Sequence, residues 1–540
     1  MGPTRYPRRI SSLGCGAILT VLALSPVHPA AAQHPHAPSA PAATHKNVSP
    51  PSLAEARKQF ALGHYAEAVS LFHAALNGPK PQRLSDPDTL AYATALAATG
   101  DTPAAEQQLT NALSRTPNSA PLNDALGTLT AQSGHVDAAL PYFQRAVATD
   151  PSLTQAQYHL GTALLALSQP DAAISPLTLA VSAMPSNFSA QLQLGNALSA
   201  THQDAEALTH LHLAAQLRSP TTSPDALYAL ALALQASGDA KNSLPIFAEA
   251  TSAPGASASA SSSDALTNYA LAHVQTGDAA NALPLYQRAL AMGPDTPTLR
   301  EDFGVAYLQQ SDLDHAMEQF RAGLALQPDN AHLHYDLGLA LKLKDDLALA
   351  VPELERAEQL DPSLPDPPFT LGVIYMQQGR FPDAITQLKH AAQLQPTNGD
   401  TWALLGSVLK DSNDAAGATE ALAHAVALEP DQPSLYIQLA ALDMEAGKRT
   451  EAVAERKLAA DLSRAANNRQ RAGFALKSGR MLLDQNKLPE AILQLNTAVQ
   501  ADPTLAKPHF LLAEAYTHQG KPAEAAAERK LAKALTPTQP

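Results

Sequence analysis

The chain of 540 residues carries 36 basic and 50 acidic side chains, which gives a formal net charge of −14. This excess of negative charge argues against nucleic-acid binding, which depends on a basic surface, and against electrostatic attachment to anionic lipid. Aromatic residues make up only 5% of the chain, while alanine and leucine are abundant. That composition favours helices packed through small side chains, and no sustained apolar–polar alternation indicates a sheet.

The N-terminal segment, residues 1–32, has the layout of a secretory signal peptide. Arg5, Arg8 and Arg9 are followed by an apolar run over about residues 10–24 and by alanines at residues 30–32. The run is shorter than the roughly 20 residues that a membrane-spanning helix requires. We therefore expect cleavage after Ala32 and export of a periplasmic or secreted chain without a membrane span. Retention of the segment as an N-terminal anchor is the alternative.

The segment contains Cys15, the only cysteine of the chain. Ser12 stands where a lipoprotein signal needs an aliphatic residue, which disfavours lipidation. A mature chain without this segment has no cysteine, so it can form no disulfide. Residues 33–51, QHPHAPSAPAATHKNVSPP, are rich in proline and alanine and lack periodicity. This composition predicts a flexible linker.

A regular sequence period governs the rest of the chain. It is marked by two series of equally spaced glycines, which are Gly127, Gly161 and Gly195, and then Gly304, Gly338, Gly372 and Gly406. An alanine follows each glycine at a constant distance, at Ala139, Ala173, Ala207, Ala316, Ala350, Ala384 and Ala418. A proline follows six of the seven at a longer constant distance, at Pro151, Pro185, Pro328, Pro362, Pro396 and Pro430. Small residues in phase with a fixed period are typical of a repeat architecture.

One repeat illustrates the predicted structure. Residues 331–362, AHLHYDLGLALKLKDDLALAVPELERAEQLDP, contain two amphipathic stretches, which we predict as helices over about residues 331–344 and 347–360. In most repeats a glycine lies in the turn, where it accepts the left-handed conformation that ends the first helix. The closing proline, here Pro362, stops the second helix. A single helical hairpin cannot bury its apolar face alone, so neighbouring hairpins must stack.

This pattern resembles the tetratricopeptide repeat (TPR), a helix–turn–helix unit of about 34 residues with small residues at its eighth, twentieth and twenty-seventh positions. The eighth positions are Ala56, Ala93, Gly127, Gly161, Gly195, Ala231, Ala270, Gly304, Gly338, Gly372, Gly406, Ala440, Gly479 and Ala513. The resemblance implies an all-α solenoid, a right-handed superhelix of about fourteen repeats, of the exported bacterial type. We divide the array into an N-terminal part, residues 52–257, and a C-terminal part, residues 258–540.

The period is interrupted where the spacing between markers grows. Two of these interruptions, near residues 251–264 and 463–471, are predicted to be loops, because insertions in a solenoid map to loops. Whether they act as hinges is left open. Prolines also fall within the predicted second helices, at Pro141, Pro176, Pro245, Pro284 and Pro352. A proline inside a helix removes a hydrogen bond, so these helices either start late or are kinked.

No pattern in the chain indicates catalysis. There is no glycine-rich phosphate loop, GxSxG elbow, HExxH motif or cysteine pair. The nearest histidine cluster, formed by His202, His210 and His212, cannot share one helical face. We therefore predict no enzyme, no cofactor and no metal site, and we expect the histidines to be incidental surface residues.

The resemblance implies that a peptide or a partner helix binds along the concave face of the first helices. Recognition of a carboxylate requires a basic ladder, which the chain lacks. The candidate groove residues occupy the twelfth and thirteenth positions and are Gln275, Gln309, Met376, Gln377 and Lys410. Amides can donate to and accept from a peptide backbone, and methionine adapts to varied apolar surfaces. The alternative interpretation of these positions is a solvated helix surface.

Two functions are consistent with these features. The first is a non-catalytic protein–protein interaction scaffold of the cell envelope, which binds partner proteins or extended peptides along a TPR groove. The second is a regulatory or substrate-presenting arm for a separate enzyme, such as a glycosyltransferase or a peptidase. The sequence does not name the partner. The net negative charge favours a neutral or basic one.

Overall fold

The computed structural model describes residues 53–78, 81–252 and 262–536. Within these residues it contains twenty-seven α-helices and no strand, which confirms the predicted all-α TPR solenoid. The predicted signal peptide (1–32), the linker (33–51) and the expected boundary between residues 257 and 258 lie outside the described residues. No helix in the described part combines the length and the apolar character that crossing a membrane requires.

The chain divides into two compact units between Asp312 and Leu313. The helices of the first unit are α1 Leu53–Ala61, α2 Tyr65–Asn77, α3 Asp86–Ala98, α4 Thr102–Leu113, α5 Ala120–Gln132, α6 Val136–Thr149, α7 Thr154–Ala166, α8 Pro170–Ala183, α9 Phe188–Ala200, α10 Asp204–Leu217, α11 Pro224–Ala236, α12 Ala240–Ser252, α13 Ser263–Gln275, α14 Ala279–Met292 and α15 Pro297–Gln309. Odd-numbered helices are the first helices of repeats, and each of α1 to α13 packs against the even-numbered helix that follows it.

The second unit continues the alternation as far as α24. Its helices are α16 Leu313–Leu326, α17 Ala331–Leu343, α18 Leu347–Leu360, α19 Asp366–Gln377, α20 Phe381–Leu394, α21 Gly399–Asp411, α22 Ala415–Leu428, α23 Pro433–Glu445, α24 Arg449–Asp484, α25 Leu488–Ala501, α26 Ala506–His518 and α27 Pro522–Leu535. The predicted bounds of α18 are confirmed, and α17 ends one residue before the predicted end.

Each first helix ends in a turn that contains one residue with positive φ. Gly379, at φ 71°, shows why the turn needs this conformation. Its N–H donates to the carbonyl of Met376 at 3.0 Å, and the next N–H, of Arg380, donates to the carbonyl of Tyr375 at 2.8 Å. These two bonds satisfy the last carbonyls of α19 and reverse the chain into α20.

This turn recurs along the described chain, and the number of such turns gives the number of repeats. Among the described residues, those with positive φ are Gly63, Gly100, Gly134, Ser168, His202, Gly238, Gly277, Ser311, Asp345, Gly379, Asn413, Gly447, Asn486 and Gly520. There are fourteen of them, one for each predicted repeat. The twenty-seven helices give the same number because α24 serves two repeats.

The expected loop near residues 463–471 is wrong, because α24 runs without interruption for 36 residues. Its first half is the second helix of one repeat, and its second half is the first helix of the next. Elsewhere a proline such as Pro362 stops the second helix before the next repeat begins. Residues 449–484 contain no proline, and alanine and arginine, which favour helix, surround the insertion.

The prolines within second helices lie inside regular helix. Pro141 lies in α6, and Pro352 lies in α18, five residues after the helix begins. Pro176, Pro245 and Pro284 lie within α8, α12 and α14 in the same way. The helices therefore start before their prolines, which rules out the late start, one of the two alternatives that the sequence left open.

Candidate functional site

A series of side-chain hydrogen bonds joins the first helices α11 and α13 in the first unit. Asn268 Nδ2 donates to the hydroxyl oxygen of Tyr228 at 2.9 Å. Two turns further along α11, Gln235 Nε2 donates to Gln275 Oε1 at 3.1 Å and to the carbonyl of Asn268 at 3.3 Å. Gln235 and Tyr228 are only 6% and 8% exposed, and burial raises the pKa of Tyr228, so its hydroxyl stays protonated.

The same kind of contact continues from α13 to α15. Gln309 Nε2, at the end of α15, donates to the carbonyl of Val274 at 3.1 Å. Gln275 and Gln309 are both exposed at the ends of their helices. Glutamines on three successive first helices therefore form one polar ladder, which we call the glutamine ladder: Gln235, Gln275 and Gln309.

The ladder leaves hydrogen-bonding groups for a ligand. Gln275 uses its oxygen toward Gln235, and Gln309 uses its nitrogen toward Val274. Within the described ranges no hydrogen bond involves Gln275 Nε2 or Gln309 Oε1. A donor and an acceptor on adjacent helices match the alternating carbonyl and N–H groups of an extended peptide.

The other three candidates lie in the second unit. Met376 and Gln377 end α19, where Met376 is half-buried and Gln377 is exposed. Lys410 lies near the end of α21 and is half-buried. The described contacts include no bond between Lys410 and the α19 pair. The five predicted groove residues are therefore divided between two units, and only Gln275 and Gln309 belong to the glutamine ladder.

Sequence reasoning did not select two residues of this region, Tyr228 and Asn268. They occupy the fifth position of one repeat and the sixth position of the next, 40 residues apart. Asparagine at the sixth position and tyrosine at the fifth are visible in the repeat register. Their pairing depends on how α11 and α13 pack. The repeat register gives their positions, but it does not predict that they contact each other.

Histidines connect helices in several repeats. His159 Nδ1 lies 2.8 Å from Asp124 Oδ1, and His509 Nδ1 lies 2.6 Å from Glu528 Oε2. His159 and His509 are 7% and 6% exposed, so the expectation of incidental surface histidines is wrong for both. In the described residues, no three histidine, cysteine, aspartate or glutamate side chains are grouped as a metal ion would require.

The sequence cluster of three histidines does not form a site. His210 Nδ1 lies 2.7 Å from Gln191 Oε1, and burial lowers the pKa of this imidazole. His212 Nε2 lies 2.6 Å from Asp239 Oδ2. His202 occupies the left-handed position of the turn before α10. His210 and His212 are two residues apart on α10, so they point to different sides of the helix and contact different partners, as expected.

Helical hairpins that pack on their neighbours along the chain are typical of the α-solenoid repeat proteins. The chain belongs to the tetratricopeptide repeat family. A family model described as TPR repeat matches residues 304–345 and 479–520. Two models described as tetratricopeptide repeat match residues 125–188 and 228–297, and residues 341–408. Proteins of this family are generally interaction scaffolds, and none of the matching models indicates a catalytic domain.

The comparison with curated proteins finds no match. Among solved structures, the chain is similar to a crystal structure of MamA, with 23% identity, 30% of this chain and 94% of that chain covered, and a TM-score of 0.29. The C-terminal part of a TPR repeat-containing protein from Cytophaga hutchinsonii is 16% identical, with coverage of 46% and 99% and a TM-score of 0.34. The APC/C hetero-tetramer Cut9–Hcn1 is 15% identical over 90% of this chain and 93% of that chain, with a TM-score of 0.28.

Proposed function

We propose that this TPR protein is a non-catalytic scaffold of the cell envelope that binds a neutral or basic protein segment along its first helices. The observation that carries the proposal is the glutamine ladder across α11, α13 and α15. Its exposed amides supply both donors and acceptors, which suits the backbone of an extended segment. Met376, Gln377 and Lys410 occupy equivalent repeat positions in the second unit, where we propose that they bind a segment in the same way.

Charge supports the choice of partner. The chain has a net charge of −14, and Lys410 is the only basic residue among the five candidates. An acidic ligand would meet repulsion from the whole chain at low ionic strength, whereas a basic one would be attracted. Amide recognition is independent of the ligand's charge, so a neutral backbone segment also fits.

The envelope location rests on the signal-peptide pattern of residues 1–32. N-terminal sequencing of protein recovered from the envelope fraction tests it, and the expected first residue is close to Gln33. An intact Met1 on protein recovered from the cytoplasm would remove the location from the proposal. The interaction role would remain, since it rests on the repeats.

Crosslinking in the envelope fraction, followed by mass spectrometry, identifies the partner and precedes the binding test. We expect the double variant Gln309→Ala/Gln377→Ala to bind the identified partner more weakly than wild type, with folding verified by circular dichroism. Gln359→Ala, an exposed change on the second helix α18, is the matched control and should leave affinity unchanged. Unchanged affinity of the double variant, with loss on mutating second helices, would place the site on the opposite face. Recovery of a glycosyltransferase or a peptidase would favour the enzyme-arm alternative.

A further inference from the structure

Helix α24 exposes a continuous stripe of residues spaced seven apart. Val453, Phe474 and Met481 are 64%, 66% and 54% exposed, although large apolar side chains normally avoid water. Ala460 and Asn467 complete the series at the same spacing, and both are exposed. A spacing of seven residues returns nearly to the same side of a helix after two turns. The five residues therefore follow one face of α24 over most of its length of roughly 50 Å.

Arginines accompany this series on the same face. Arg449, Arg456, Arg464 and Arg471 are all exposed, and each lies within four residues of a member of the series. On a helix, residues three or four apart are neighbours on the surface. The only described ion pair of these four joins Arg464 to Asp461 at 3.3 Å. We call the whole set the α24 stripe.

Three of the four acidic residues of α24 lie away from the series of exposed residues. Glu451, Glu455, Asp461 and Asp484 are its four carboxylates, against eight arginine and lysine residues. Glu451, Glu455 and Asp461 are not three, four or seven residues from any member of the series, and Glu455 is half-buried. Asp484 follows Met481 by three residues, at the C-terminal end of the stripe, and pairs with Arg480 at 3.1 Å. The helix is therefore basic within a chain whose net charge is −14.

The exposure of the stripe follows from the continuity of α24. In most repeats a proline-containing loop folds the next first helix back onto the preceding second helix. Here the fused helix removes that loop. Arg456 also stands at the repeat position where Leu354 is fully buried in α18. The face is thus built differently from that of other second helices.

A shallow groove adjoins the C-terminal half of the stripe. It lies between α24 and α25 and is lined by Asn467, Arg471 and Phe474 on α24 and by Gln494 and Thr497 on α25. An apolar side chain from a docked helix can lie beside Phe474 in this groove. The neighbouring Arg471 is then in position to bind a carboxylate of the same helix.

We propose that the α24 stripe binds an amphipathic helix of a partner protein, with apolar residues in a heptad pattern and acidic residues on both flanks. The series has the spacing of one of the two seam positions of a two-stranded coiled coil, at which a single central asparagine such as Asn467 selects the register. The other seam position on α24 is polar or basic, so the apolar contact is a single row. The arginines complement acidic flanks. This surface is separate from the glutamine ladder and would hold a second partner of opposite charge preference.

Two other occupants fit the stripe less well. A second copy docked through the same stripe by two-fold symmetry would place arginines against arginines. Binding to an anionic membrane uses a broad apolar face, as in interfacial amphipathic helices. The stripe is one residue wide and carries a polar Asn467 at its centre, which favours a helical protein partner.

The test measures binding of two synthetic peptides to the full-length protein by fluorescence anisotropy. Both peptides have about four heptads with leucine at the a and d positions; one has glutamate at e and g, and the other has lysine there. We expect only the glutamate peptide to bind, with an affinity that falls as salt rises. Arg471→Glu and, independently, Phe474→Ser should each weaken binding by about tenfold or more.

Arg469→Glu is the matched control, because it makes the same charge change two residues away on a different side of α24. It should change the affinity by less than about twofold. Equal binding of the two peptides, or equal losses for Arg469→Glu and Arg471→Glu, would overturn the proposal. Absence of peptide binding, with Arg471-dependent binding to phosphatidylserine vesicles, would overturn it in favour of a membrane. Thermal melting followed by circular dichroism verifies that each variant is folded.

Discussion

The indole Nε1 of Trp402 donates a hydrogen bond to the carbonyl of Pro396, six residues earlier, at 2.9 Å. The carbonyl belongs to the proline that separates α20 from α21, where no helical partner is available to it. The same bond recurs at the fourth position of other repeats, from Asn123 to Pro117, Gln157 to Pro151, Gln191 to Pro185, His334 to Pro328 and Tyr436 to Pro430. The side chain at the fourth position therefore donates this hydrogen bond, and several residue types can fill the role.

Loss of this donor should destabilise the first unit. Gln191 is 1% exposed, donates to Pro185 at 2.7 Å and lies 2.7 Å from His210 Nδ1. Gln191→Leu removes the hydrogen bonds to the carbonyl of the exposed Pro185 and to the half-buried His210, so we expect a loss of about 1 kcal/mol in the free energy of unfolding. Urea denaturation followed by circular dichroism measures it. A midpoint equal to that of wild type would show that water replaces the side chain.

The contact between Gly338 and Leu354 should resist any added side chain. A Cβ at Gly338 would lie 2.8 Å from Leu354 Cγ and 3.2 Å from the carbonyl of Ala350. Gly338→Leu should therefore cost about 1–3 kcal/mol, while the exposed Gln359→Ala should have little effect. Equal melting shifts for these two variants would contradict the close helix contact.

A double-mutant cycle separates this clash from other effects. Leu354 is fully buried, so Leu354→Ala alone should destabilise the protein by about 2–5 kcal/mol. In the Leu354→Ala background, Gly338→Ala should cost less than it does in wild type, because its Cβ has room. Additive losses would place the clash elsewhere.

Turn residues with positive φ should respond to glycine in a predictable way. His202, at φ 59°, adopts the left-handed conformation with a side chain, so His202→Gly should stabilise the protein by about 0.5–1 kcal/mol. Gly379→Ala is the opposite change at φ 71°, where a Cβ meets no neighbour within 4 Å. It should cost about 1 kcal/mol through backbone strain alone. Urea midpoints that move in the same direction for both variants would refute this explanation.

The continuity of α24 can be tested at its centre. Asn468→Pro removes a backbone donor within the helix and should cost about 3 kcal/mol, whereas a loop would tolerate it. Asn468→Ala raises helix propensity at this exposed site and should be neutral or slightly stabilising. Hydrogen exchange of residues 463–471 provides a second measurement, since helical amides there should be protected. Rapid exchange of these amides would indicate that the segment is a loop and not part of a continuous α24.

The ion pair between Arg57 and Asp88 should make stability depend on acid pH. Arg57 Nε and Nη2 donate to Asp88 at 2.5 and 2.8 Å, and this interaction lowers the pKa of Asp88 from 3.8 to about 2. A carboxylate with a lowered folded-state pKa contributes fully above the unfolded value of 3.8, and its contribution is lost as the pH falls through about 2. Arg57→Gln should therefore lower the urea midpoint at about pH 5, and the difference from wild type should shrink toward about pH 2.

The neighbouring Lys58→Gln is the control for this pH dependence. Lys58 is exposed and lies 3.6 Å from Glu55 on the same helix, a contact of small energetic value. Its variant should show little difference from wild type across the same pH range. A constant difference between wild type and Arg57→Gln at every pH would remove Asp88 as the titrating partner.

Much of the fold could be predicted because its signals are local. The bounds of α18 follow from apolar spacing and from the turn that precedes it, and both lie within one repeat. The register also identified the positions of Gln275 and Gln309. It could not show that Gln275 accepts a bond from Gln235, because residues 40 apart meet only through the packing of successive repeats. The hydrogen bond that the fourth position donates to the preceding proline carbonyl could not be predicted either, because the residue type at this position varies from repeat to repeat.

The sequence by itself determined the all-helical repeat, its number and the turn that closes each hairpin. Periodicity, small residues and left-handed turns act over a few residues, so the local chain suffices to specify them. Only the tertiary structure decided which side chains bridge helices and which remain exposed, as with Gln235 and Phe474. It also showed that a proline-free insertion continues α24 where the repeat register indicated a break. Those outcomes depend on contacts between segments far apart in the chain, and on competition between helix continuation and inter-repeat packing.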